Sequence, residues 1–418
     1  MKTAIYFGYI DNKTDANVKI AENIASQLSN LGHEVTLLGV SKDIFLEKSF
    51  TELSDSGAYK IVHMTENPVI RRHRARLEKF IEKNSYSSRK SSVIKYTLKH
   101  PLSAAVLMYS FSPFYKEDIS VYSSDSLKNY IVNNNIDAVL AITAPSFTVS
   151  ALFHQDIPDC KKIIYQLDPY GLHELYKPKE DETVWFNKAD CIFTTEILKE
   201  KYSEHKDYSI FDKKIHALNF PSFIKPVITE KTSYLEKTKT NIVFCGAIED
   251  RYRKPDRFLE LISEQIKIDP QICVHFIGRI KSQVCTTYAE KYPENIFIHP
   301  FLDSKYIPSL LDEADFLLNI GNSLKLQLPS KIFEYFATGK PIIHQETIPE
   351  CTCRKYMQEY PLAFTVHCDS DISLFHDFQK FITQNKGVTI PFNTVNEMYS
   401  EYTPEAVASE IHKIISNL

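Results

Sequence analysis

Glycine is scarce in this chain, with 10 in 418 residues, and where it occurs it does not form the common phosphate-binding fingerprints. The first apolar run ends in Gly8-Tyr9-Ile10-Asp11-Asn12-Lys13, which lacks the further glycines that let a backbone close on a dinucleotide and so argues against an oxidoreductase. No Gly-Lys-Ser/Thr loop is present either, and Gly339-Lys340-Pro341 ends a helix where a phosphate-transferring NTPase would open one. Apolar runs are short. None approaches the roughly 18–20 uncharged residues of a membrane-spanning helix. The apolar start meets Asp11, Lys13 and Asp15 at once, unlike a signal peptide, so the chain is expected in the cytoplasm. An excess of positive charge is missing too, and a net charge of −4 argues against a dedicated nucleic-acid binder.

The 8 cysteines, Cys160, Cys191, Cys245, Cys273, Cys285, Cys351, Cys353 and Cys368, follow no repeated spacing. Cys191, Cys245 and Cys273 fall inside apolar runs, where a thiol behaves as a small buried hydrophobe. Cys351-x-Cys353 lacks the second Cys/His pair of a structural zinc site, so no metal is expected and reduced thiols fit best.

What is present is ordinary soluble-protein composition, 43% apolar and 24% charged, on a length that suggests two domains of roughly 200 residues each. Residues 3–8, 18–31 and 33–40 give a strand, a helix stopped by Gly32, and a strand, the βαβ opening of a doubly wound sheet. Strand patterns resume at 137–143, 162–167, 191–194 and 214–218. Around 222–240 the periodicity fades into Lys, Glu, Thr and Ser, which reads as a linker. A second series follows, with strands at 241–245, 272–277, 296–299, 315–320 and 340–343. Helices at 258–268 and 307–312 lie between them. The fold class is α/β with two Rossmann-like, doubly wound domains in tandem, 1–222 and 241–403, around a linker at 223–240. Ligand chemistry is expected in a cleft between them.

The most informative stretch is Leu328-Pro329-Ser330-Lys331-Ile332-Phe333-Glu334-Tyr335-Phe336-Ala337-Thr338-Gly339-Lys340-Pro341. It reads as a loop, a helix starting near Ser330 and a Gly stop at Gly339. Unpaired N–H groups at a helix start suit a phosphate. Ser330 and Glu334 share one face of the helix, so a carboxylate one turn deeper is placed to accept hydrogen bonds from ribose hydroxyls. Local capping is the competing account of the pair, although a capping box would want Glu where Phe333 stands. After the strand at 241–245, Gly246 leaves room for a ligand at the backbone, and Arg251, Arg253 and Lys254 follow with charge suited to a pyrophosphate. A solvated loop is the alternative there.

These segments resemble the donor-binding motif of retaining, GT-B-fold glycosyltransferases of family four: Pro-Ser-Lys, then Glu-Tyr-x-Ala-x-Gly-Lys-Pro, with Gly and Arg253-Lys254-Pro255 after the first strand of the second domain. The resemblance implies sugar transfer from a nucleotide diphosphate sugar to a hydroxyl of a glycan or lipid-linked acceptor in bacterial surface polysaccharide assembly, with lipopolysaccharide, capsule and exopolysaccharide as the settings. No metal or other cofactor is implied. It assigns donor binding to Gly246, Lys254, Gly278, Gln327, Ser330 and Glu334, and catalysis to Arg253 and Lys331. Asp168, in Gln166-Leu167-Asp168-Pro169 after Pro145-Ser146, would orient the acceptor, although Asp before Pro is also common in turns. The last helix, 404–418, is expected to pack back on the first domain. The family's second Glu is replaced by Leu326, which leaves a second reading open: a catalytically impaired, nucleotide-sugar-binding partner subunit. Asp369-Ser370-Asp371 reads as a helix cap.

Residues 71–100 hold ten Lys/Arg against Glu78 and Glu82, followed by a mostly apolar segment at 102–115 that includes Phe111, Phe114 and Tyr115. A basic stretch beside an amphipathic one suits an anionic membrane surface, here the inner face of the cell membrane. A solvated helix face beside a core helix is the alternative.

Overall fold

The computed structural model describes the chain except residues 10–15, 42–49, 56, 66–67, 84–88, 110–112, 144–146, 155–156, 158–159, 174–180, 232–233 and 301. The turn after Tyr9, Pro145, Ser146 and Phe111 therefore lie outside the described residues. The chain forms two compact units, Met1–Asn219 with Glu405–Leu418, and Phe220–Pro404. The segment 223–240, expected as a linker, belongs to the second unit.

In the first unit, strands β1 (Lys2–Tyr9), β2 (Glu34–Ser41), β3 (Phe50–Asp55), β4 (Lys60–Thr65), β5 (Ala138–Ile142), β6 (Lys161–Gln166), β7 (Cys191–Thr194) and β8 (Ile215–Ala217) form one sheet. Their order is β3-β4-β2-β1-β5-β6-β7-β8. Only the edge pair β3 and β4 is antiparallel. Central β5 is buried along its whole length, the continuous apolar run expected of a parallel strand covered on both faces. The helix Ala16–Asn30 buries Val18, Ile20, Ile24 and Leu28 against this sheet's side of the chain and ends at Gly32, whose φ is +87°. The final helix, Pro404–Ser416, joins this unit from Glu405 onward. His412 Nδ1 lies 2.7 Å from His33 Nε2, and Lys161 Nζ donates to Ile415 O at 2.8 Å.

The basic segment forms the helices Pro68–Lys83 and Arg89–Lys99, followed by Pro101–Tyr109. The segment expected at 102–115 is not one element, because a second helix begins at Pro113 and runs to Asn134. Ser103 Oγ ties the three basic-region helices together, 2.7 Å from both His73 Nδ1 and Tyr96 Oη. Pro101–Tyr109 is not a core helix: Leu102 is 83% and Met108 73% exposed, beside Leu98 at 79%.

In the second unit, strands β9 (Thr240–Glu249), β10 (Ile272–Lys281), β11 (Ile296–His299), β12 (Phe316–Ile320), β13 (Ile342–Gln345) and β14 (Ala363–Val366) form a parallel sheet ordered β11-β10-β9-β12-β13-β14. Renumbered from its own start this is 3-2-1-4-5-6, the doubly wound order whose switch point lies between the first and fourth strands. The helix Asp256–Ile268 buries Phe258, Leu259, Ile262 and Ile266, and its core continues through Phe276, Phe316 and Phe378. β9 and β10 run past the glycines expected to end them, because Gly246 pairs with Gly278 and the register continues to Glu249 and Lys281.

Candidate functional site

The segment 328–341 follows β12 at the switch point of the second sheet. Its helix, Lys331–Phe336, is fixed by aromatic residues. Phe333 stacks on Tyr402 with centroids 4.0 Å apart, and Phe336 on Tyr399 at 4.6 Å. Buried Tyr335 accepts the Cys245 N–H through its hydroxyl at 3.0 Å. With one face held this way, the helix presents half-buried Lys331 and Glu334 on the other. Gly339 stops the chain's helical course with φ +71°, and a Cβ there would stand 2.0 Å from Ile390 O.

Lys331 Nζ donates to Cys245 O at 3.1 Å, so the motif helix reaches across to the middle of β9, just before Gly246. Lys331 and Glu334 both act on the Cys245 thiol, the cation favouring its ionised form and the carboxylate opposing it, while burial pushes that thiol up to about 12. Gly246 comes next, and beside it Gly278 has φ +123° with its Cα hydrogen side against Gly246 O. A Cβ at Gly278 would stand 2.2 Å from that oxygen. Arg253, in the loop after β9, turns back to donate Nη1–H to Ala247 O at 2.7 Å. Burial lowers its affinity for the proton, opposed by Cys353 and Tyr335, yet a guanidinium stays charged throughout. Lys254 is exposed, and its N–H donates to Thr347 Oγ1 at 3.3 Å.

Ser330 has helical backbone angles, φ −61° and ψ −22°, and its hydroxyl makes no capping bond. The local-capping account of Ser330 therefore fails. Gln327 accepts from the Asn322 amide, and Thr352 Oγ1 donates to its carbonyl at 2.9 Å. Asp371, by contrast, is a cap, accepting from Ser373 N–H at 2.8 Å.

The structure thus brings Arg253, Lys331 and Glu334 around Cys245 and the Gly246–Gly278 rung of β9 and β10. Asp168 belongs to the first unit, on the turn after β6. That turn rests on a buried network the sequence did not reveal. Gln166 Nε2 donates to Asp168 O and to Glu182 Oε1, both at 2.7 Å, and Glu182 also accepts from Gly171 N–H at 3.1 Å and Tyr202 Oη–H at 3.2 Å. Burial raises the Glu182 carboxyl to about 7. No local pattern marks it, since its partners come from three separate segments.

No family model matches the chain, and no curated protein does. Solved structures do. A glycosyltransferase from Rickettsia africae ESF-5 aligns with 13% identity and a TM-score of 0.56 over 99% of this chain and 97% of that one. WaaG, a glycosyltransferase involved in lipopolysaccharide biosynthesis, aligns with 12% identity and 0.55 over 99% of both. The UDP-GlcNAc 2-epimerase of Methanocaldococcus jannaschii aligns with 10% identity and 0.55 over 100% of both. The chain has the GT-B fold, an α/β architecture of two Rossmann-like domains. Its neighbours in that fold are glycosyltransferases and a sugar-nucleotide epimerase.

Proposed function

We propose that this chain is a retaining, metal-independent glycosyltransferase that moves a sugar from a nucleotide diphosphate sugar to a hydroxyl of a glycan or lipid-linked acceptor in surface polysaccharide assembly. One observation carries the reading: the motif helix and the loop after β9 bring Lys331, Arg253 and the paired Gly246 and Gly278 together at the switch point of the second sheet. In this reading the glycines admit the diphosphate to the backbone, and Arg253 and Lys331 offset its charge, with Lys254 at the rim. Gln327 and Ser330 line the loop, and Glu334 accepts the ribose hydroxyls. The bond from the anomeric carbon to the phosphate oxygen breaks, and one to the acceptor oxygen forms on the same face. The acceptor proton passes to the leaving phosphate, so no separate protein base is needed. Cations already in place where negative charge grows stabilise that step without reorganisation. Asp168 orients the acceptor.

The helices at 68–109 supply a membrane-facing surface in this proposal. Arg72, Arg76, Lys79, Lys83, Lys95 and Lys99 are exposed, next to exposed Ile94, Leu98, Leu102 and Met108. Cations beside apolar side chains suit the headgroup region of an anionic leaflet, where a lipid-linked acceptor resides. Among the described residues no helix is long and apolar enough to cross a membrane.

The test is a panel of nucleotide sugars screened for thermal stabilisation, since a bound donor raises the melting temperature by mass action. The stabilising donor is then incubated with candidate acceptors and the anomeric configuration of the product read by NMR. No stabilisation by any donor sinks the reading, and an inverted product sinks its mechanism. Leu326, in place of the family's second Glu, favours one alternative, a donor-binding partner subunit without turnover. Donor stabilisation with no glycosylated product across the panel would select that alternative.

A further inference from the structure

Cys351 and Cys353 lie in the loop between β13 and the helix Arg354–Glu359, and the fold turns them onto His344 of β13. Cys351 Sγ is 3.4 Å from His344 Nε2, and one ligand atom from each of the three residues lies within 4.8 Å of the others. The cluster is closed off: His344 and Cys353 are 0% exposed and Cys351 7%. The expectation of no metal rested on the lack of a second Cys/His pair for Cys351-x-Cys353; the fold adds one histidine to the two thiols, from the preceding strand.

Metal geometry accounts for the arrangement. Metal–sulfur and metal–nitrogen bonds of zinc type at tetrahedral angles separate sulfur from nitrogen by roughly 3.6 Å. Cys351 and His344 already stand near that separation. The other imidazole nitrogen is held from outside: Nδ1 lies 2.8 Å from the side-chain amide of buried Asn319. The atom facing it is the amide nitrogen; turning the amide over, which exchanges nitrogen and oxygen at the same positions, has Nδ1–H donated to Asn319 Oδ1 and leaves the Nε2 lone pair facing the thiols, the outer-shell support typical of a ligating histidine. Gly321 completes the cradle. A Cβ there would stand 2.9 Å from Cys351 Sγ and 3.4 Å from His344 Cε1. Two thiolates balance a dication, which leaves the buried centre neutral, as burial demands.

We propose that His344, Cys351 and Cys353 bind one Zn²⁺ as a structural centre of the second unit. Both S–H bonds break and two metal–sulfur bonds form, the thiol protons leave to solvent, and the imidazole donates its lone pair. The centre takes no part in the diphosphate chemistry and its test does not depend on that reading, although Cys353 lies close enough to Arg253 to act on its charge. Its effect is to staple the loops around the donor motif, because Thr352 beside it holds the Gln327 carbonyl and Thr347 Oγ1 holds the Gly321 carbonyl at 2.7 Å.

The test uses the full chain, purified without a histidine tag and under reducing, anaerobic conditions. Elemental analysis is expected to find close to one zinc ion per chain. Stripped protein should take up Zn²⁺ in competition with a chromogenic chelator and release about two protons per ion. H344Q and the C351S/C353S double variant should lose the ion, while C368S, which alters a cysteine outside the cluster, should retain it. H344Q keeps both thiols and serves where the double variant fails to fold. The proposal is overturned if fewer than about one chain in ten holds metal and the stripped chain takes up none. It is equally overturned if H344Q retains the ion, if C368S loses it, or if the anaerobic protein carries a Cys351–Cys353 disulfide.

Discussion

Replacing Gly278 by Ala tests the strand pairing beneath the candidate site. An added Cβ would stand 2.2 Å from Gly246 O, a backbone atom with no rotamer to yield, where real contacts stay above 3.0 Å. β9 and β10 must therefore part by about 0.8 Å at this rung, on the strength of those two distances. Holding Ala at φ +123° adds conformational strain. Strain of this kind costs roughly 1–3 kcal/mol, and forced displacement in a packed region another 1–3 kcal/mol or so. A loss of about 2–6 kcal/mol lowers the melting temperature of a domain this size by roughly 4–24 °C. Gly387→Ala is the control, because its φ is +74° but nothing lies within 4 Å of the added carbon. It carries the conformational cost alone. Thermal unfolding of both variants, followed by calorimetry with the stabilising nucleotide, is the assay. G278A should lose more stability than G387A and also bind nucleotide more weakly, since moving Gly246 shifts the Cys245 carbonyl that Lys331 holds. Equal losses in the two variants would refute the clash, and with it the close approach of Gly278 to Gly246.

Glu334→Ala should weaken nucleotide binding by roughly 1.5–3 kcal/mol with the fold intact; unchanged affinity by calorimetry returns Glu334 to a structural role. Arg253→Ala should lower kcat more than it weakens donor binding, because charge grows on the diphosphate in the transition state; a raised KM at constant kcat makes it a binding residue only. In the second unit His275 is buried against His299 and its pKa falls to about 4, with His299 lowered as well. Between the ordinary 6.5 and 4 the unfolded state therefore binds protons the folded state refuses, and stability is lost as pH falls through that window, by on the order of 3 kcal/mol for His275. In the first unit His33, also about 4, pulls the same way, but Glu182 at about 7 gains stability as pH falls toward 4.5. The fluorescence of Trp185, the single tryptophan, should thus show a flatter pH profile than far-ultraviolet dichroism of the whole chain. Equal slopes would contradict the opposing assignment. The intact protein should sediment with acidic liposomes at low salt, and replacing Arg72, Arg76, Lys79 and Lys83 by Ser should abolish this, each cation near the surface being worth about 1 kcal/mol; equal, poor binding to neutral and acidic liposomes removes the membrane reading.

Both doubly wound halves were legible because their central strands are continuous apolar runs and their helices are strongly periodic. The runs at β5, β7 and β12 could hardly be anything else. β3 and β4 were missed: Phe50-Thr51-Glu52-Leu53-Ser54-Asp55 is half polar, as an antiparallel edge strand can be. β14 was missed for a similar reason, since Ala363, Phe364 and Thr365 are only half-buried at the other sheet's edge. In the candidate site, residue types in the motif were readable from local spacing, but its anchoring was not. Tyr402 under Phe333, Tyr399 under Phe336 and Gly278 against Gly246 are long-range pairings that no window of sequence contains. Gln166 and Glu182 are likewise brought together only by the fold. His344 stands just seven residues before Cys351, within one short window, but nothing in that spacing showed that strand and loop turn its ring onto the thiols.

The return of the final helix to the first unit has a bearing on how the protein comes into being. Residues 220–404 are contiguous, so this part can close as soon as it has emerged from the ribosome. The other part waits. Gln27 finds Glu405, His33 finds His412 and Lys161 finds the Ile415 carbonyl only once residues 405–415 are made. The half translated first is therefore the half finished last. A nonsense codon just before Glu405 would spare the later-made half and strand the earlier one with its closing helix missing.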